Sequence, residues 1–183
     1  MLDSQIVRWN VYASPFGEGA FACTESGVCS LVLPQHEWGK MGFPPFRFAP
    51  HLLNLPILFD SSLGGREQLE AFFSPSSTST NKCPSDLLEV DWIAIEANRS
   101  SFQRSVLRAC ATLPKGKAES YGELAVRSGY PGRARAVGTV MATNPVPLLI
   151  PCHRVLKSGG AVGSYGGGSE MKLAILQAEG ALA

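Results

Sequence analysis

Apolar and polar residues alternate in short stretches over the first third of the chain, and a period of three to four takes over in the last half. Alternation of period two is the mark of a half-buried strand, because successive side chains leave opposite faces of the backbone. It predicts strands over Ile6 to Tyr12, Phe21 to Cys23 and Val28 to Leu33, the last two separated by the turn-like Thr24-Glu25-Ser26-Gly27. A proline-rich stretch from Phe43 to Pro56 reads as irregular. Arg66 to Phe73 places Leu69, Phe72 and Phe73 on one side of a short helix, and Glu89 to Ile95 reads as one more strand. Between these two, Ser74 to Asp86 (SPSSTSTNKCPSD) has no apolar period and is crowded with serine, threonine and proline, as in a loop or linker.

The second half reads as helical. Ser101 to Leu113 lines up Phe102, Val106, Cys110 and Leu113, with Ser100 or Ser101 as N-cap. Ser120-Tyr121-Gly122-Glu123 is a capping box, and it opens a helix that runs to about Ser128 and stops at Gly129. Tyr130-Pro131-Gly132 is a tight connection, with Pro131 near the first turn of a further helix that ends by Asn144, ahead of Pro145. Two short helices on a glycine-containing turn suggest a helix-turn-helix, although a packed helical hairpin has the same signature. The second helix carries Gly132, Ala134, Ala136, Gly138 and Ala142 beside Arg133 and Arg135, which suits either close packing or close approach to phosphates. Val146 to Ile150 reads as a buried strand.

Composition adds three constraints. With 183 residues, 45% hydrophobic and 17% charged, the chain suits an ordinary folded protein of one large or two small domains. Its longest apolar candidate, Leu52 to Phe59, is broken by Asn54 and Pro56 and is far short of the ~20 residues of a membrane span, and no secretory signal is visible. A net charge of +1 hides an asymmetry: residues 1–100 hold six Lys/Arg against eleven Asp/Glu (−5), residues 101–183 ten against four (+6). A basic half suits a polyanionic partner. Five scattered cysteines (Cys23, Cys29, Cys83, Cys110, Cys152) favour reduced thiols in a cytoplasmic setting over a disulfide framework.

Cys152 stands out among them. It follows the apolar run and lies between Pro151 and His153, with Arg154 next, and a neighbouring imidazole or cation can lower a thiol's pKa from its ordinary ~8.5. Cys110, on its helical stripe, reads instead as a buried structural thiol. Pro151-Cys152-His153-Arg154-Val155 resembles the active-site signature of the 6-O-methylguanine-DNA methyltransferases. Tyr121-Gly122-Glu123-Leu124-Ala125, Ala134-Arg135-Ala136-Val137-Gly138, Asn144-Pro145-Val146-Pro147 and Gly163-Ser164-Tyr165-Gly166-Gly167 resemble the family's motifs in order and spacing. The likeness runs from Phe102 to Gly180 and is faint before residue 96.

The resemblance implies an α+β protein: an N-terminal α/β support domain of RNase H-like fold over residues 1–85, with the linker near 74–86, then a helical domain over 86–183 containing the helix-turn-helix. It implies that Cys152 takes an alkyl group from guanine oxygen once and irreversibly, with His153 and Glu179 activating the thiol and Asn144 bracing the segment. Tyr121, Val155, Ser158, Tyr165 and Gly166 would form the base pocket, and Gln103, Tyr121, Gly122, Arg135 and Ser158 would contact DNA. The partner implied is duplex DNA carrying alkylated guanine, bound in the minor groove with low sequence specificity by a monomer that needs no cofactor. Departures from the family pattern are Leu107 where tryptophan is common, Asn98-Arg99-Ser100 for glycine-threonine, and Gly122 and Tyr130 at polar DNA-contact positions. Some relatives bind zinc in the N-terminal domain; Cys23 and Cys29 lie near two ligand positions, but Gln5 replaces a third, and Cys83, His36 or His51 would have to complete the four-ligand set. Zinc is therefore not expected. Three other functions compete: a lesion-recognition protein that transfers nothing, a cysteine hydrolase and a transcription regulator.

Overall fold

A computed structural model of the chain describes residues 6–35, 52, 55–74, 84 and 87–182. It is an α+β protein of two compact units, Met1–Ala97 and Asn98–Ala183. In the first, β1 (Val7–Ser14), β2 (Gly17–Thr24) and β3 (Gly27–Gln35) form an antiparallel meander, and β4 (Ile57–Phe59) adds in parallel to β1, giving the order β3-β2-β1-β4. β2 is an inner strand, and Gly19 to Ala22 are buried without a break, as expected where both faces are covered. Helix α1 (Arg66–Phe73) lies against β1, burying Leu69 and Phe73 and receiving the Ala13 N–H on Glu70. Val7, Ala22, Cys29, Leu52 and Ala94 form one core cluster.

The strand expected over Glu89 to Ile95 is instead a single bridge, Val28 with Val90, followed by α2 (Trp92–Glu96). Asp91 decides it. Its side chain accepts the Ala94 N–H at 2.9 Å as an N-cap and also takes the Thr24 hydroxyl, so the chain turns into a helix where alternation alone suggested extension. Gly27 makes the bridge possible: at φ +132°, its missing Cβ would stand 2.7 Å from the Glu89 carbonyl. These ties move the boundary between the units from the expected 85/86 to 97/98. Most of the Ser74–Asp86 and Phe43–Pro56 stretches lies outside the described residues, as do Gln5, His36, His51 and Cys83.

The second unit holds α3 (Ser101–Ala111), α4 (Tyr121–Arg127), α5 (Ala134–Ala142) and α6 (Gly168–Ala178), with a parallel pair β5 (Glu119–Ser120) and β6 (Val155–Leu156). Both serine caps are complete capping boxes, Ser100 with Gln103 and Ser120 with Glu123. α3 buries Val106, Leu107 and Cys110, with Leu113 buried beyond its end, while Phe102 meets Tyr130 edge-on at 4.8 Å. Helix α5 starts later than the sequence suggested. Gly132 is left-handed (φ 79°) and Pro131 stays in the connection, so Ala134 is the first helical residue. The β5–β6 pairing of Glu119 with Val155 fixes the start of α4 beside the segment that follows Cys152.

Candidate active site

Val146 to Ile150 is buried, as its apolar run required, but it is not a strand. Pro145, Pro147 and Pro151 remove the ladder donors that a central strand needs. The chain coils instead: Ile150 N–H donates to the Val146 carbonyl at 2.9 Å, and Leu148 takes a left-handed φ of 75°. Asn144 pins the coil from within. Its Nδ2 donates to the Ile150 carbonyl at 2.8 Å, and its Oδ1 receives the Val146 N–H at 3.1 Å. The chain then enters a single 3-10 turn, Cys152–Arg154, and leaves it into β6.

All three residues of that turn are buried. His153 Nε2 lies 3.2 Å from Glu179 Oε1, at the C-cap of α6. Arg154 grips the same carboxylate with Nε to Oε2 at 2.8 Å and Nη2 to Oε1 at 2.7 Å, and its Nη1 reaches the Leu113 carbonyl at 2.6 Å. The bidentate guanidinium accounts for a charge buried at this depth, because carboxylate and cation satisfy each other's hydrogen bonds. Burial pushes the Glu179 carboxyl up, but the bonds from Arg154 and His153 outweigh it and hold the pKa at about 2. An ionised Glu179 takes its hydrogen bond from imidazole Nε2–H. That tautomer leaves Nδ1 as an acceptor, and Nδ1 is buried without a hydrogen-bond partner among the described residues. Burial also holds the His153 pKa below its ordinary value, so the ring is neutral near pH 7.

Burial raises the Cys152 thiol above its ordinary value, and a hydrogen bond from Asn144, the Lys172 ammonium and the backbone N–H groups of Cys152 and His153 offset only part of that rise. Tyr121, the first residue of α4, is raised by burial and then by Cys152 and Cys110, so its phenol stays protonated. The ring of Tyr165 meets His153 at 6.4 Å, edge to face. The structure thus draws together Cys152, His153, Glu179, Asn144, Tyr121, Val155 and Tyr165. Ser158 and Gly166 are exposed on the loop after β6 and the approach to α6. Gly122 and Arg135 are exposed on α4 and α5, and the Gln103 side-chain carbonyl is engaged in its capping box. Two residues have roles that the sequence does not show. Arg154 reads there only as a cation next to the thiol. Lys172 is fully buried on α6 and donates to the Val155 carbonyl at 2.6 Å; its one signal was a cation on the apolar stripe of Met171, Ile175 and Leu176.

Among the described residues no cluster of three or more His, Cys, Asp or Glu could hold a metal, and no helix is long and apolar enough to cross a membrane. The fold and the site define an α+β protein whose helical unit is built round one buried thiol and a His–Glu–Arg cluster. Residues 101–181 match the family model of the 6-O-methylguanine DNA methyltransferase DNA binding domain. A methylated-DNA–protein-cysteine methyltransferase of Mycolicibacterium paratuberculosis is 41% identical over 116 residues, 63% of this chain and 64% of that protein. The crystal structure of Mycobacterium tuberculosis OGT in complex with DNA is similar over 96% of this chain and 92% of that one, with TM-score 0.68 and 30% identity. The O6-methylguanine-DNA methyltransferase of the archaeon Pyrococcus kodakaraensis shares the fold at TM-score 0.64 and 22% identity. The chain belongs to the 6-O-methylguanine-DNA methyltransferase family.

Proposed function

We propose that this protein repairs 6-O-alkylguanine in duplex DNA by moving the alkyl group irreversibly to Cys152. The observation that carries the reading is the buried series Cys152, His153, Glu179, in which the carboxylate fixes the imidazole tautomer and leaves Nδ1 to accept a proton. The thiol gives its proton to His153, directly or through one water, and the thiolate attacks the saturated carbon. A sulfur–carbon bond forms as the carbon–oxygen bond breaks, its electron pair stays on the guanine oxygen, and the base regains a proton for which the Tyr121 phenol is a suitable donor. A thioether has no easy hydrolytic exit, so each molecule acts once. The reaction draws on no cofactor and no zinc.

A stacked base is out of reach of a buried thiol, so the lesion must be flipped out at a cost of a few kcal/mol. We read α4 and α5 as a helix-turn-helix with α5 in the minor groove. Ala134, Ala136 and Gly138 give it a slight profile for a groove ~6 Å wide, and exposed Arg135 is the side chain to fill the vacated stack. Gln103, Gly122 and Ser158 are the further DNA contacts, and Val155, Tyr165 and Gly166 line the base pocket with Ser158. The M. tuberculosis relative was crystallised with DNA, which supports the partner. Binding should be weakly sequence-specific and fall with salt, since phosphates carry it. We read the first unit as an RNase H-like support domain and the protein as a monomer. The test is intact mass after mixing with a duplex holding one 6-O-methylguanine. One added methyl per molecule, absent from Cys152→Ala, is the expected result. Tight lesion binding with no added mass would move the protein to the lesion-recognition class.

A further inference from the structure

We propose that Arg99 is a positioning residue for transfer from duplex DNA: its guanidinium donates to the Thr143 carbonyl, holds the C-terminal end of α5 and so sets where Arg135 stands relative to Cys152. The inference deepens the proposed function and rests on it. It starts from the carbonyls at the end of α5, which a helix leaves without partners of its own. The Thr143 N–H donates to the Val140 carbonyl at 3.1 Å, and the Asn144 N–H donates to that of Met141 at 3.3 Å. The Thr143 hydroxyl turns back to the carbonyls of Thr139 and Val140, each at 3.2 Å. The Thr143 carbonyl is met from outside the helix, by Arg99 Nη2 at 3.3 Å. Because α5 has no basic residue in its last turn, half-buried Arg99 brings the cation that suits the negative end of the helix dipole.

Both ends of this bond are fixed. Asn98 takes a left-handed φ of 59°, and Ser100 is locked in its capping box, with its N–H on Gln103 Oε1 at 2.9 Å, so Arg99 projects from a rigid corner ahead of α3. That corner is the Asn98-Arg99-Ser100 stretch that departs from the family pattern, so the shared motifs do not account for the contact. On the other side, Thr143 directly precedes Asn144, which closes the coil towards Cys152 with its own side chain. The coil therefore holds its shape without Arg99, whereas the direction of α5 depends on it. The start of α5 has no side-chain cap. A helix rises ~1.5 Å per residue, so Arg135 stands about 12 Å from Thr143, and a tilt of about 10° at the Thr143 end moves it by about 2 Å. A misplacement of ~1 Å can cost as much as ~100-fold in rate.

The test is the rate of methyl transfer against the concentration of lesion duplex, beside transfer from the free alkylated base and alkylation of Cys152 by iodoacetamide. Arg99→Met keeps the length of the side chain and removes both donor and charge. It should slow transfer at saturating duplex about tenfold. The half-saturating concentration and both small-molecule reactions should stay within about twofold of native, as when an interaction acts on the transition state and not on binding. Arg99→Lys, which keeps a charged donor, should recover most of the loss. A native rate in Arg99→Met, an equal loss on duplex and free base, or Arg99→Lys as slow as Arg99→Met overturns the proposal. If Arg99→Met does not fold, Arg99→Gln, shorter and uncharged, takes its place in the same comparison. Native protein that takes no methyl from the duplex would sink the proposed function. Arg99 is then read from 2-aminopurine placed beside the lesion, whose fluorescence rises as the neighbouring base leaves the stack. A smaller rise with Arg99→Met than with native protein supports the proposal, and equal rises overturn it.

Discussion

Each compact unit buries a cysteine in its core, and although burial raises both thiols, the groups around them differ. Cys29 on β3 donates to the Ala22 carbonyl at 3.3 Å; burial raises it far above an ordinary thiol, Cys23 and Asp91 push in the same direction, and only the backbone N–H groups of Cys29 and Ser30 pull the other way. Cys23 is itself pushed up to about 12 by burial. Cys152 is raised by burial too, but Asn144, Lys172 and two backbone N–H groups all favour its thiolate. Depth alone therefore does not tell a packing thiol from a reactive one. The surrounding side chains do: at Cys152 a buried amide and a buried ammonium favour the thiolate, and at Cys29 no side chain does.

The comparison can be broken most sharply by removing each sulfur. Cys152→Ala should abolish methyl uptake in the mass assay, whereas Cys29→Ala should keep one methyl per molecule. Next in size is Glu179→Gln, which leaves Arg154 buried with half its partner. Loss of one member of a buried pair costs about 3–5 kcal/mol, measurable as a lower urea midpoint. The same carboxylate sets an acid limit. Its pKa is about 2 in the folded protein against 4.5 for the free side chain, so it contributes stability above about pH 4.5 that is lost as pH falls towards 2. Glu179→Gln should be flatter across that window, and an acid limb identical to the native one would remove Glu179 as its source.

Arg135→Ala comes third. Losing the side chain proposed to fill the vacated stack should slow transfer from duplex on the order of 100-fold, in keeping with a flipping cost of a few kcal/mol. Transfer from the free alkylated base should be unchanged, and an equal loss on both substrates would place Arg135 in the pocket rather than in the stack. The smallest effect belongs to the first unit. Asp91→Ala removes the cap of α2 and the partner of Thr24, costing about 1–2 kcal/mol in a urea titration with transfer intact.

What could be read in advance follows the reach of each interaction. Local signals carried through: the hairpin strands, α1 over Arg66 to Phe73, and both capping boxes depend on residues within a few positions of one another. Glu89 to Ile95 misled because Asp91 takes its second partner, Thr24, from a distant strand, and a pattern window does not see across that gap. Val146 to Ile150 is buried, as its apolar run implies, but coiled, because the prolines at 145, 147 and 151 remove the donors that a ladder needs. At the site, Cys152, His153, Glu179 and Asn144 were named through a family motif. Lys172 and the grip of Arg154 on Glu179 are not legible in the sequence, because a buried cation looks like any surface one until its surroundings are known.

The bonds from His153 and Arg154 to Glu179 also impose an order in time. Cys152 leaves the ribosome before the helix that ends at Glu179 has been made, and Leu113, which Arg154 also holds, has emerged earlier still. Until α6 docks, the imidazole has no carboxylate to fix its tautomer. A half-made chain therefore lacks a histidine held ready to take the thiol's proton. The single use proposed for each molecule is then protected during synthesis by the order in which its parts are delivered.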